Sequence, residues 1–342
     1  MAGRAGRGFT RRTFLGTASA GALAAVASRD VFAPALAQAK PTVLKWAHVY
    51  EVSEPYHTEA LWAAEEIKKR TGGKYEIQVF PASQLGNEPQ INEALGLGTV
   101  DIIYTGTAFV GGIHKPLSIS NGPYIFRDFE HWKAYRGSKL FRTLADEYGA
   151  KTGHRIVALT YYGERHLTSN KEIKGPEDMK GMKLRVPQAP LFVLFCKMFG
   201  ANATPIAFAE VYLALQQGTV DGQENPLPTI LAKKFYEVQK YIHLTGHMSE
   251  QLVTVVGSPV LGRLTPAEKD IFSEVLAQAA GKATDQIRAS ELRLPPEFEK
   301  LGKTVTRPNR ADFVKVAAPQ LLGPEALAFW TKAHYDQLQA LT

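Results

Sequence analysis

The stretch FAEVYLALQQGTVDGQENP, residues 208–226, joins a helical pattern to a strand pattern through a glycine. Apolar residues at helical spacing run to Gly218, and TVDGQE (219–224) then has the pattern of a short strand. A near-repeat, GLGTVDIIYTGTA, stands at 96–108 with the same order of helix, glycine, Thr-Val-Asp and strand. The loops after both strands are therefore expected at the carboxyl edge of a sheet, where ligands bind in open α/β folds.

On both sides of this stretch, strand patterns alternate with helical patterns along most of the chain. Further strands are predicted at 43–49, 75–80, 100–106, 155–163, 181–187 and about 248–260. This alternation predicts an α/β fold with a mostly parallel, doubly wound sheet. Because 342 residues exceed what one core usually supports, we expect two lobes. A long helical run follows the N-cap-like Thr265 and Pro266, and its length predicts a helix that crosses between the lobes.

The first 39 residues have the pattern of an export signal. Arg11 and Arg12 precede a mildly apolar, Ala/Gly-rich run that is shorter than a membrane span, so a twin-arginine-type signal is favoured over an uncleaved anchor. Small residues offer cleavage after Ala37 or Ala39. The segment carries a net charge of +4, which leaves +3 for residues 40–342.

Several function classes lack their sequence signals. Residues 40–342 contain no basic run of the kind that binds nucleic acid, and no motif predicts a metal, a cofactor or a catalytic set. His243 and His247 have the spacing of two metal ligands on a helix, but Gly246 between them argues against a rigid helix. Cys196 lies in an apolar helical segment and is expected to be an inert core residue.

One charged residue breaks a strand pattern. In GMKLRVP (181–187), Leu184 and Val186 alternate with polar positions, so Arg185 is expected to face away from the side that they bury. It would then point either into solvent or into a cleft.

The segments GERHLTSN (163–170), GPEDMKGMKLRVPQAP (175–190) and the block 205–247 closely resemble the extracytoplasmic solute-binding proteins of TRAP transporters, the DctP-like family. The resemblance implies a periplasmic binding protein fold, type II-like, with a hinge. It places lobe I at 40–162 plus 251–290 and lobe II at 163–250 plus 291–342. Such proteins close over an organic acid and deliver it to a sodium-driven membrane permease.

The resemblance also assigns residues of the second lobe. Arg185 is implied to pair with the ligand carboxylate, a role that suits a planar guanidinium. Arg165 matches a second ligand arginine, Asn225 a donor to the carboxylate, and Phe208 an aromatic residue over the ligand. Structural alternatives remain for Phe208 as a core residue and for Asn225 as a turn residue. Glu224 is expected to be either a surface carboxylate or part of a cation site.

Residues of the first lobe are expected to determine which organic acid the protein binds. By family pattern, its candidates are loop residues near the predicted ligand edge, namely His48, Tyr50, Glu51, Glu88 and Gly106 within Thr105–Thr107. Sialic-acid binders carry an acidic residue where Gly106 stands, which argues against sialic acid. The pair Tyr161 and Tyr162 offers stacking or hydroxyl contacts.

The sequence thus predicts a periplasmic binding protein, not an enzyme, that takes a C4-dicarboxylate-like or sugar or hydroxy acid. The expected partners are that acid and the permease subunits, and the protein is expected to be a monomer. A secreted hydrolase using His48 or His166 with Glu88 is one alternative. A ligand sensor for a membrane receptor is another, and it would use the same residues.

Overall fold

The computed structural model describes residues Lys40–Thr342; the predicted export signal, residues 1–39, lies outside the described residues. The strands are β1 Thr42–Ala47, β2 Tyr75–Phe80, β3 Ile102–Gly106, β4 Arg155–Ser169, β5 Lys183–Val186, β6 Asn202–Pro205, β7 Gly222–Pro226, β8 Tyr241–Val256 and β9 Thr304–Thr306. The helices are α1 Pro55–Arg70, α2 Glu88–Gly96, α3 Thr107–Val110, α4 Phe129–Gly137, α5 Lys139–Thr152, α6 Pro190–Met198, α7 Val211–Gln216, α8 Leu227–Ala232, α9 Phe235–Val238, α10 Ser258–Arg263, α11 Pro266–Lys300, α12 Arg310–Ala317, α13 Pro324–Leu327 and α14 Lys332–Gln339.

The strands of the described residues form a single mixed sheet. Its order is β2-β1-β3-β8-β4-β7-β5-β6, with β9 paired to β8. The flanking pairs β1–β2, β1–β3, β5–β6 and β5–β7 are parallel, as the strand–helix alternation predicts. The central pairs β3–β8, β4–β8 and β4–β7 are antiparallel, which the alternation did not predict. The sheet is therefore parallel at both flanks and antiparallel in the middle.

Two predicted element boundaries are wrong around β8. The strand begins at Tyr241, well before the predicted start, and residues Ser258–Arg263 are helical where a strand was predicted to continue. A short apolar run does not by itself distinguish a buried strand from a helix. Here Gly257 ends the strand, and Pro259 lies in the first turn of α10, where a proline is tolerated.

The near-repeat marks equivalent junctions at the two flanks of the sheet. Asp101, before β3, accepts a hydrogen bond from Lys45 N of β1 at 2.8 Å, and Asp221, before β7, accepts one from Lys183 N of β5 at 2.8 Å. Each aspartate thereby fixes its own strand beside the neighbouring parallel strand. A short helix follows each of these strands, α3 after β3 and α8 after β7.

Helix α11 is 35 residues long and confirms the predicted long helix. Thr265 and Glu268 form a capping box at its start. The helix packs on α1 and also on α8 and β9, so it contacts elements beside both flanks of the sheet. No helix within Lys40–Thr342 combines the length and apolar character needed to cross a bilayer.

The long central strands change partners along their length. The first part of β4 pairs with β8 beside β3, whereas Arg165–Ser169 pairs with both β7 and β8. Register shifts interrupt the ladder between Tyr161 and Gly163 and between Arg165 and Leu167. Gly163 has φ +125°, and an added Cβ would lie 2.8 Å from Pro226 Cβ, so the position requires glycine. The break coincides with the place where the lobe boundary is predicted.

Candidate ligand-binding site

A small cavity lies where the carboxyl ends of the parallel strands approach the middle of β4 and β8. Its volume is about 20 Å³, far below the ~300–1,000 Å³ typical of ligand pockets. Aromatic and charged side chains dominate its wall. The lining residues are Val49, Tyr50, Glu88, Phe109, Tyr162, Arg165, Arg185, Pro187, Phe208, Asn225 and Glu250.

Arg185, on β5, is buried, and part of its guanidinium group forms no hydrogen bond with the described residues. Its Nε and Nη2 donate to Ile206 O at 3.0 and 2.7 Å, while Nη1 is buried without a hydrogen-bond partner among the described residues. Burial lowers the pKa of Arg185 to about 10, an effect that the charge of Glu224 only partly opposes. The folded protein thus holds a desolvated guanidinium in the cavity wall, and a carboxylate is the group best suited to satisfy it.

Arg165, on β4, is equally buried but fully engaged. Its Nε and Nη2 bond to the carboxylate of Glu224, and Nη1 bonds to Glu250. Burial opposes the charge of Arg165, but the two carboxylates outweigh this effect and raise its pKa. Burial also disfavours the charge of Glu224, yet Arg165 and His247 hold the pKa of that carboxyl below its ordinary value. Arg165 therefore acts first as the counter-charge of two buried glutamates.

Asn225 and Phe208 also lie in the wall, as the resemblance implies. Asn225 Nδ2 donates to Gln223 Oε1 at 2.6 Å, which leaves a second amide hydrogen of Asn225 available. The ring of Phe208 lies 5.9 Å from the guanidinium carbon of Arg185 and 5.1 Å from Lys233 Nζ. Phe208 therefore packs beside the guanidinium of Arg185 in the cavity wall.

The cavity wall also carries two carboxylates, those of Glu88 and Glu250. Glu88, at the start of α2, accepts from Tyr50 Oη and from Gly106 N on the same oxygen, both at 3.3 Å. Burial, with a further contribution from the charge of Glu250, raises the pKa of Glu88 to about 7. Gly106 contributes its backbone, and an added Cβ there would lie 3.0 Å from Glu250 Oε1.

Comparison with known proteins identifies the family. The model of the bacterial extracellular solute-binding proteins, family 7 (DctP), matches residues 46–323. The chain belongs to this family. It is 33% identical over 278 residues to the sialic acid-binding periplasmic protein SiaP of Vibrio cholerae, covering 81% of this chain and 87% of that protein.

Solved structures give the same result. The TRAP periplasmic solute binding protein from Polaromonas sp. JS666, bound to D-erythronate, matches with a TM-score of 0.84 and 32% identity over 88% of this chain and 99% of that chain. The one from Haemophilus influenzae with bound L-gulonate matches with a TM-score of 0.82 and 26% identity over 87% and 98%. The two-lobed α/β fold of the DctP-like TRAP solute-binding proteins is thus confirmed for this chain.

Three predicted site residues, His48, Glu51 and Gly106, do not line the cavity. The side chains of His48 and Glu51 form polar contacts elsewhere. His48 Nε2 pairs with His57 Nδ1 at 3.2 Å, and burial lowers the pKa of His48 to about 3. Glu51 forms a salt bridge with Lys233 Nζ at 2.7 Å. Each of the two side chains bonds to a residue that does not line the cavity, so neither is placed to contact a ligand in this conformation.

Other wall residues were not predicted from the sequence, namely Val49, Phe109, Pro187 and Glu250. Glu250 gave no clear signal, because the polar residues Ser249 and Gln251 flank it and the apolar run LVTVV (252–256) begins only after it. Of the tyrosine pair, Tyr162 lines the cavity, whereas Tyr161 donates to Glu291 and packs on Phe129.

The histidines considered as catalytic or metal-binding residues form hydrogen bonds with other residues of the protein. His166 Nδ1 accepts from Gly246 N at 3.0 Å, and burial lowers the pKa of His166 to about 3. His243 and His247 lie on strand β8 and not on a helix; His243 bonds to Ser169, and His247 bonds to Glu224. Within Lys40–Thr342, no cluster of three His, Cys, Asp or Glu residues could hold a metal ion. Cys196 is buried in α6.

Proposed function

We propose that this protein is the periplasmic solute-binding subunit of a TRAP transporter and captures an organic acid through Arg185 for delivery to a membrane permease. The observation that carries the proposal is the buried Nη1 of Arg185, which has no partner in the described chain and belongs to a residue of the cavity wall. D-Erythronate and L-gulonate, the ligands of the two related structures, are both carboxylates and support the proposal.

Binding of an acid should raise the melting temperature of the protein. A ligand at 100 times its dissociation constant adds ~2.7 kcal/mol to the stability of the folded state. The measurement is a thermal-shift screen of the purified protein against organic acids, each paired with its amide. A shift with the acid and none with the amide supports carboxylate capture. Shifts by neutral compounds alone would contradict it.

We further infer that the lobes close about the break in β4 at Gly163. Contacts between Glu51 and Lys233 at 2.7 Å, and between Glu54 and Thr229 at 2.6 Å, join the loop after β1 to helix α8 and would form only on closure. Ligand binding would favour the closed form because that form alone combines Arg185 with wall residues from both lobes.

Lys233→Met should speed ligand release without preventing binding. The Glu51–Lys233 pair is partly exposed, and such pairs contribute ~0–1 kcal/mol, so we expect at most about a fivefold faster dissociation. Stopped-flow fluorescence measures this rate, and raising the salt concentration should narrow the difference from the unaltered protein. Lys234→Met is the matched control, since Lys234 is exposed and bonds near its own helix. Equal rates for the two variants would argue against the pair as a closing contact.

A sensor for a membrane receptor would use the same site. Genes for permease subunits beside the gene of this protein would favour the transporter.

A further inference from the structure

A chain of hydrogen bonds joins the lobe contact at Glu54 to Asn225 in the cavity wall. Thr229 Oγ1 lies 2.6 Å from Glu54 Oε1 and 3.0 Å from Tyr162 Oη. Tyr162 Oη in turn lies 3.4 Å from Asn225 Oδ1. All four side chains are at most 3% exposed, so their polar atoms depend on partners within the protein. The chain therefore runs from the loop after β1, through α8 and β4, to the cavity.

The three contacts of this chain share a limited number of hydrogens. Each contact needs one hydrogen, and Thr229 and Tyr162 supply one hydroxyl hydrogen each. Asn225 supplies none, because its Nδ2 donates to Gln223 Oε1 and its Oδ1 is the atom that faces Tyr162. An ionised Glu54 supplies none either, since a carboxylate only accepts. With Glu54 ionised, two hydrogens serve three buried contacts, and one contact sets two acceptor oxygens against each other.

A proton on Glu54 completes the chain. Its Oε1 then donates to Thr229, whose own hydrogen is donated to Tyr162 Oη. The hydroxyl of Tyr162 is left to donate to Asn225 Oδ1, so each of the three contacts has a hydrogen. The other oxygen of Glu54 still accepts from Glu51 N at 2.7 Å, as a neutral carboxyl group allows. The geometry therefore favours a neutral Glu54 when the lobe contact is formed.

The surroundings of Glu54 also favour its neutral form. Burial raises the pKa of Glu54 to about 7, against the effects of its two hydrogen bonds and of Lys233 at the end of α8. The carboxylate of Glu51 contributes to the increase. Among the described residues, Tyr56 and Tyr162 also face Glu54, and burial raises the pKa of both phenols, so they stay neutral. Opening of the lobes would return Glu54 to water and its pKa toward the ordinary value.

We propose that Glu54 takes up a proton when the lobes close on an acid, so that capture is coupled to protonation. Thr229 and Tyr162 are positioning residues in this coupling, because their hydroxyl groups orient in turn between Glu54 and the cavity wall. The inference rests on the proposed acid capture and lobe closure. It adds that both strengthen as the pH falls from 8 to 6, since the closed form binds the proton more tightly than the open form.

Calorimetric titration at pH 7 in two buffers of different ionisation enthalpy measures the protons taken up on binding. The titrant is the organic acid with the largest thermal shift among those that stay ionised between pH 6 and pH 8. With a pKa of about 7 in the closed form, Glu54 should take up about half a proton per acid bound. Burial also raises the pKa values of Glu88 and Glu250 in the wall, so the contribution of Glu54 is obtained by comparing variants.

Glu54→Gln isolates this contribution. The amide of glutamine imitates the neutral acid, because Nε2 can donate to Thr229 while Oε1 accepts from Glu51 N. At pH 8 the variant should bind the acid at least as tightly as the unaltered protein. It should take up about half a proton fewer at pH 7, and its gain in affinity from pH 8 to pH 6 should be about tenfold smaller. Glu65→Gln, at an exposed position on α1, is the control and should keep the full uptake.

Tyr162→Phe tests the chain by a second route. Without the phenol, the single hydrogen of Thr229 satisfies the contact with an ionised Glu54, so proton uptake should again be smaller. Thr229→Ser keeps the hydroxyl and should retain the uptake. Full uptake in a folded Glu54→Gln protein would overturn the proposal, even if binding were weaker at every pH, and if that variant does not fold, full uptake in Tyr162→Phe would do so.

Acid capture itself is tested separately. If no acid binds the unaltered protein, or if Arg185→Met binds the titrant normally, the proposed function fails. If the acid binds, Arg185→Met does not bind it, and Glu54→Gln takes up as many protons as the unaltered protein, the function stands and only the coupling through Glu54 fails.

Discussion

Replacing Arg185 with methionine should abolish acid binding and leave the protein folded. Among the described residues, Arg185 is the one cation of the cavity wall with an unengaged donor, and a ligand carboxylate would lose this partner. Removal of one partner from a buried ion pair costs ~3–5 kcal/mol, which is a loss of affinity of about two to nearly four orders of magnitude. Calorimetric titration with the acid found in the thermal-shift screen measures this loss.

The same change should maintain or raise the stability of the ligand-free protein. Arg185 has a pKa of about 10 in the folded chain, below its ordinary value, so its charge is less favourable folded than unfolded. That penalty applies at all pH values below about 10 and fades as the pH rises through this value toward the unfolded pKa. Methionine fills much of the same space without a charge. The melting temperature without ligand should therefore not fall.

Two further variants sharpen the test. Arg185→Lys should also lose most of its affinity, because an ammonium group does not reproduce two parallel donors. Lys183→Met alters an exposed residue on the same strand and should bind normally. Native affinity in a folded Arg185→Met protein would refute the assignment of Arg185.

Replacing Arg165 with methionine should instead lower the free energy of unfolding of the protein. Glu224 and Glu250 would remain buried without their shared counter-charge, and breaking such a pair typically costs ~3–5 kcal/mol. Chemical denaturation measures the free energy of unfolding. Arg155→Met, an exposed position at the start of the same strand, is the control and should differ little from the unaltered protein.

The loss caused by Arg165→Met should depend on pH. In the unaltered protein the pKa of Glu224 is lowered, so its favourable contribution is present above the unfolded pKa and disappears as the pH falls through the folded one. In the variant, Glu224 has lost its main counter-charge and protonates more readily. The stability difference between the two proteins should therefore be larger at pH 7 than at pH 4. A difference that is small at pH 7, or that grows toward acid, would contradict the structural role of Arg165.

Together the two arginines show why equal burial does not mean equal function. Both have 2% exposure and both line the cavity. Arg165 has its charge neutralised within the protein, whereas Arg185 bonds only to a backbone carbonyl. The resemblance to the family assigned both to the ligand, and it did not distinguish these two environments.

The sequence determined the local elements of this fold. Helix α11 was predictable because Thr265, Pro266 and Glu268 are start signals that act within one turn. The flanking strands and their glycine-marked junctions followed from apolar periodicity, and the position of Arg185 in a half-apolar strand identified it as unusual. These features depend on residues near one another in the chain, so their pattern is visible in the sequence.

Which charged side chains pair with one another depends on the folding of distant parts of the chain. Arg165 bonds with Glu224 and Glu250, which stand far away in the sequence on β7 and β8, and no local pattern specifies those pairings. For the same reason, His48 and Glu51 bond to residues that do not line the cavity, whereas Glu250 does line it. Pairing between distant strands sets these contacts, and burial then makes each unpaired charge costly. That combination leaves Arg185 as the cation in the wall without a carboxylate partner.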